Sequence, residues 1–91
     1  MRTFKLSNSV DIRSEEGKYL LFDNVSGSIF KLNELSYEIL SLCDGSHAEE
    51  KILDKISGMF DAPAENIYND FNSLINILLE KGYILIMQHN I

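Results

Sequence analysis

The chain has 91 residues, 45% hydrophobic and 24% charged, which fits one domain around one core and is too apolar for disorder. Eight Lys and Arg stand against fourteen Asp and Glu, a net charge of −6. An acidic surface repels phosphate backbones, so nucleic acid is excluded as an expected partner. The single cysteine, Cys43, excludes an intramolecular disulfide framework and points to a reducing cytoplasm. No apolar run is long enough for a signal peptide or a membrane span.

The acidic excess is concentrated in the second half. The first 45 residues carry five basic and seven acidic groups, the remainder three and seven. One domain is expected over residues 1–91, with its core at about 9–86.

The first third reads as strands. Val10 and Ile12 alternate with polar neighbours, as on a half-buried strand. Glu16-Gly17 supplies a turn, and Tyr19-Leu20-Leu21-Phe22 is an apolar run suited to a central strand. Asp23 to Gly27 is a second turn cluster. Ser28-Ile29-Phe30-Lys31-Leu32 follows as a third strand, with Phe30 and Leu32 on one face and Ile29 and Lys31 on the other. Short turns make this an antiparallel meander with its second strand in the middle, so the third is an edge unless something covers it.

At Asn33 the period changes. Asn33 is a good N-cap, and Leu35, Ile39, Leu40 and Leu42 recur at helical spacing. Asp44-Gly45 is expected to end this helix, with Gly45 left-handed past its last turn. Ser46-His47-Ala48-Glu49 matches a capping box for a second helix, whose apolar stripe is Ile52, Leu53, Ile56, Met59 and Phe60. Asp61-Ala62-Pro63 breaks it, and Pro63 suits the first turn of a third helix that runs to about Lys81 before Gly82. Tyr83 to Met87 reads as a short last strand. The fold class is therefore α+β of winged helix-turn-helix type, a three-stranded antiparallel sheet followed by three helices.

No catalytic residues stand out, and no metal ligands or cofactor cradle. Cys43 reads as a small buried apolar residue, since a reactive thiol needs an accessible, electropositive setting. His47 and His89 read as isolated surface histidines with no carboxylate or second histidine at ligand spacing. No glycine-rich loop leads from a strand into a helix.

The third helix carries the functional signal. Ile67, Phe71, Leu74 and Leu78 share one stripe, enough to cover a core, while Tyr68, Ile75 and Leu79 share an adjoining one. With Ile77 on the opposite flank, the apolar arc approaches ~200°, where a one-sided helix needs about 100°. Either the helix is central and buried on both flanks, or Tyr68, Ile75 and Leu79 floor a groove beside the open third strand. An unpaired strand edge next to an apolar groove suits an extended peptide.

The stretches Leu20-Leu21-Phe22-Asp23, Gly27, Phe30-Lys31-Leu32-Asn33, Ile39-Leu40 and Leu42-Cys43-Asp44-Gly45 resemble the PqqD-like proteins. So does the later pattern of Ile67, Asp70-Phe71, Leu74, Leu78 and Gly82-Tyr83-Ile84. The resemblance spans roughly residues 9–86. Such proteins are recognition elements for ribosomally made, post-translationally modified peptides. It implies three strands and three helices, no cofactor, and a precursor's leader peptide added as a strand beside strand three and helix three. The implied contacts are Ser28, Ile29, Phe30, Lys31 and Leu32, acting mainly through backbone, with Tyr68, Phe71, Asn72, Ile75 and Leu79 on the helix. Lys31 is placed to pair with an acidic leader side chain. The implied enzyme partner is a radical S-adenosylmethionine enzyme or a leader peptidase.

Three alternatives remain at this level. A DNA-binding winged helix would use helix three, yet between Pro63 and Gly82 Glu65, Asp70 and Glu80 stand against Lys81 alone. A structural docking subunit would use the same apolar stripe without a peptide. The tail from Tyr83 to Ile91 could cover the third strand or pair with a second copy in a homodimer, and Phe4 and Leu6 near the start could extend the sheet.

Overall fold

A computed structural model describes residues 2–88 of the chain. The elements in order are β1 (Arg2–Leu6), β2 (Val10–Glu15), β3 (Lys18–Asp23), β4 (Ile29–Leu32), α1 (Glu34–Ser41), β5 (Asp44–Ala48), α2 (Glu49–Met59), α3 (Ala64–Glu80) and β6 (Ile84–Gln88). They form two three-stranded antiparallel sheets, ordered β2-β3-β4 and β5-β1-β6, with three helices. The α+β class and the meander are as expected. The second sheet, and the strand lying between α1 and α2, are not.

The meander follows from local chemistry. Glu16 and Gly17 both take positive φ, 50° and 78°, the backbone a two-residue hairpin turn needs, and Gly17 supplies it without a Cβ. The wider β3–β4 turn is held by the Asp23 carboxylate, which accepts from the Val25 and Ser26 N–H groups. Asn33 then caps α1, its side chain accepting from the Ser36 N–H at 2.7 Å.

Around residues 44–49 the structure corrects the reading. α1 ends at Ser41, and Asp44-Gly45 opens β5 instead of closing the helix. The register slips between Thr3↔Ala48 and Lys5↔Asp44, and Gly45, at φ 85°, lies within that bulge. No capping box forms: Ala48 occupies the N-cap of α2 without a side-chain bond. The Ser46 hydroxyl instead donates to Asp44 at 2.6 Å, and Glu49 takes a bidentate pair from Arg2 of β1 at 2.9 and 3.2 Å. Pro63 is the N-cap of α3, one position earlier than expected.

One core joins both sheets to the helices. Phe4, Leu21, Ile39, Leu40, Ile52, Ile56, Phe71, Ile75 and Ile84 are at most 2% exposed. Phe4 of β1 meets Phe71 of α3 edge to face, with ring centroids 6.2 Å apart. The segment at 84–88 pairs with β1 along five register positions, from Arg2↔Gln88 to Leu6↔Ile84, and so does not cover β4. Among the described residues no helix is long and apolar enough to cross a membrane.

Candidate functional site

Among the described residues β4 pairs only with β3, and its ladder fixes which backbone groups stay open. The Asp23 N–H donates to the Ser28 carbonyl at 2.9 Å, and the register continues through Leu21↔Phe30 and Tyr19↔Leu32. Bonded and non-bonded pairs alternate along an antiparallel ladder. Phe30 and Leu32 therefore turn their N–H and C=O groups to β3. Ile29 and Lys31 turn theirs outward.

Side chains alternate across the same strand. Phe30 and Leu32 share the helix side of the sheet with their partners Leu21, which is buried, and Tyr19, whose ring lies 4.9 Å from Tyr37 of α1. Ile29 and Lys31 share the outer face with Phe22 and Leu20. Ile29 is 59% exposed and Phe30 38%, so both surfaces beside the edge present apolar area.

The C-terminal end of α3 reaches this edge. The Gly82 N–H donates to the Leu79 carbonyl and the Tyr83 N–H to the Leu78 carbonyl, a pair of bonds that closes the last turn, with Gly82 at φ 74°. Tyr83 then lies across the sheet end. Its hydroxyl donates to Asp23 at 2.9 Å, and its ring is 6.0 Å from that of Phe30. Lys81 Nζ sits 5.4 Å from the centre of the Phe30 ring, in cation–π range. The hydrogen bond from Tyr83 holds the Asp23 carboxyl below its usual range, and the same bond pushes the Tyr83 phenol up.

On α3 the expected contacts divide. Tyr68 is 51% exposed, and Asn72 and Leu79 are half-buried on the same flank. Phe71 and Ile75 are core residues, at 0% and 2%, and offer no surface to a ligand. The reason is the second sheet, which packs on α3 through β6 and the Phe4 ring and narrows the flank left to solvent. Ser28 is half-buried in the turn leading into β4, where its N–H donates to Ser26 Oγ.

Sequence reading passed over Lys18. It borders a shallow depression of about 200 Å³ at the end of β4, with Gly17, Tyr19, Lys31 and Leu32. The signal was there, since Lys18 is two residues from Leu20, the register partner of Lys31, and so lies on the same face.

Elsewhere, Cys43 is 2% exposed, its Sγ donates to the Ile39 carbonyl, and burial followed by the adjacent Asp44 charge pushes the thiol up to about 12. His47 is not isolated as expected. The bulge in β5 brings the Asp44 carboxylate within 3.0 Å of His47 Nδ1; the Ser46 hydroxyl and N–H, followed by His47, donate to it and hold Asp44 well below the usual carboxylate range. His89 lies outside the described residues. Among the described residues no group of three His, Cys, Asp or Glu is placed to hold a metal ion.

Residues 18–84 match the family model described as Coenzyme PQQ synthesis protein D (PqqD). Among solved structures, the chain is similar to TbiB1 in complex with the TbiA(beta) leader peptide, with a TM-score of 0.74, 21% identity, and coverage of 88% of this chain and 93% of that one. It is also similar to lasso peptide synthetase B1 complexed with the leader peptide, at 0.75 and 20% identity over 90% and 96% of the two chains. The heterocyclase TruD contains a similar region, at 0.66 and 22% identity, covering 100% of this chain and 12% of TruD. At these identities the likeness is one of fold. No curated protein matches the chain by sequence.

Proposed function

The chain belongs to the PqqD family, and from that premise we propose that it is a non-catalytic binding protein for the leader segment of a ribosomally made precursor peptide. The leader adds as a strand to β4 and lies against the exposed flank of α3. The observation that carries this reading is the open edge of β4, with the N–H and C=O groups of Ile29 and Lys31 turned outward. Main-chain bonds there supply affinity without regard to sequence, and side chains entering beside Phe30, Tyr68, Asn72 and Leu79 supply selection.

Similar folds solved with leader peptides support it. The domain then presents the leader's attached core to a modifying enzyme, a radical S-adenosylmethionine enzyme or a leader peptidase. Holding both on one complex raises the local concentration of a weakly held substrate.

The test is an NMR titration of the isotope-labelled chain with the leader of a precursor encoded beside its gene. Amide shifts should be confined to residues 28–32 and to Tyr68, Asn72 and Leu79. Saturable binding whose shifts fall on β6 or β5 instead would overturn the assignment of the edge.

A further inference from the structure

We propose that Lys18 and Lys31 form a carboxylate-reading subsite on the outer face of the β2-β3-β4 sheet, so that the bound strand carries an Asp or Glu opposite Lys31. This rests on the β4-edge reading above and adds to it the chemistry of one position. In a chain of net charge −6, cations are scarce. Several are occupied: Arg2 is paired with Glu49, Arg13 lies 5.1 Å over the Phe22 ring, and Lys81 lies over Phe30. The side chains of Lys18 and Lys31 take part in no ion pair, hydrogen bond or ring contact among the described residues. Glu15 faces Lys18 in register without an ion pair forming. Both lysines line the same depression of about 200 Å³, and no carboxylate lines it.

The register says where a ligand group would enter. Residues directly opposite on neighbouring strands point to the same face. A peptide residue opposite Lys31 therefore places its side chain on the outer face beside the Lys31 amine, with Lys18, the diagonal neighbour of Lys31, one strand further in. The next residue, opposite Phe30, faces the helices and the α3 flank. The one after, opposite Ile29, returns to the outer face over Ile29 and Phe22, where apolar area is exposed. The bound segment thus has three successive residues of stated type: acidic opposite Lys31, then apolar, then apolar. An antiparallel strand reads them in that order and a parallel one in reverse.

The experiment selects a displayed library of random short peptides on the full chain, and in parallel on the Lys18→Glu/Lys31→Glu variant, with amide spectra confirming that both are folded. The wild-type chain should enrich peptides with Asp or Glu next to two apolar residues. The variant should enrich Lys or Arg at that same position and keep the apolar pair. A selected peptide with its acid changed to the amide should bind the wild-type chain up to about five-fold more weakly, the range of an exposed ion pair. Apolar enrichment with no acidic preference, or an acidic preference unchanged in the variant, would sink the subsite and leave the β4 edge standing. Failure to enrich any peptide on either chain would count against both.

Discussion

The molecule ends its two sheets in different ways, at β4 and at β6. Among the described residues both strands pair on one side only. From the Ser7 N–H on the Tyr83 carbonyl, the ladder alternation turns the backbone of Ile84 and Ile86 outward on β6, as it does for Ile29 and Lys31 on β4. β6 exposes more apolar residues, with Leu85, Ile86 and Met87 at 52%, 37% and 39%, and has no charged residue. β4 is shorter and mixed, flanked by Lys81, Tyr83 and the flank of α3, with Lys31 along its length. Apolar exposure alone would choose β6. The proposed site at β4 rests instead on open backbone groups bordered by two distinguishable faces, because a ligand strand must be read on alternate sides as well as held.

The largest expected effect separates the core face of α3 from the flank beside that edge. Ile75→Asp buries a charge at a 2% exposed site, so the cooperative melting transition should be lost. Tyr68→Asp, on the exposed flank, should shift stability by only about 0.5 kcal/mol. Equal losses from both would erase the division of α3 on which the site depends.

Proline substitutions compare the edges directly. Ile29→Pro removes an outward N–H of β4 and should weaken leader binding about ten-fold, the worth of one hydrogen bond. Ile86→Pro removes an outward N–H of β6 and should leave leader binding unchanged in titration calorimetry. If the two effects are reversed, the ligand edge is β6.

The smallest effect concerns the clasp at the sheet end. The carboxyl of Asp23 titrates lower in the folded chain than the ordinary 3.8, so its bond with Tyr83 stabilises above that value and is lost as pH falls through the folded one. The raised phenol of Tyr83 keeps its share below the ordinary 10.0 and loses it as pH rises through the folded value. Tyr83→Phe should flatten both limbs of a stability–pH curve. An acid limb with unchanged slope would show that the hydrogen bond adds nothing to stability.

The β2-β3-β4 meander and the three helices were legible in sequence because their signals are local: period-two alternation, a two-residue turn at Glu16-Gly17, a cap at Asn33, and Gly82 after α3. β5 was not. Its residues, Asp-Gly-Ser-His-Ala, lack the apolar and β-branched types that mark strands, and only pairing with the distant β1 makes it one. β1 showed its alternation in Phe4 and Leu6, but nothing local says that it heads a second sheet. The choice left open for α3, core or groove floor at Phe71 and Ile75, turned on that omission, and both are buried. Helical spacing puts a residue on a stripe, and only the elements packed there decide whether the stripe is covered. The edge of β4, by contrast, followed from strand order alone.

Arg2 and Gln88 are register partners on adjacent strands, which brings the two ends of the described chain to about 5 Å apart. The described residues thus begin and end side by side on the second sheet. A host protein could carry this domain within a surface loop without stretching its own backbone, since the inserted unit spans little more than a single step between strands. The same geometry means that a tether at either end would hang the domain from one point.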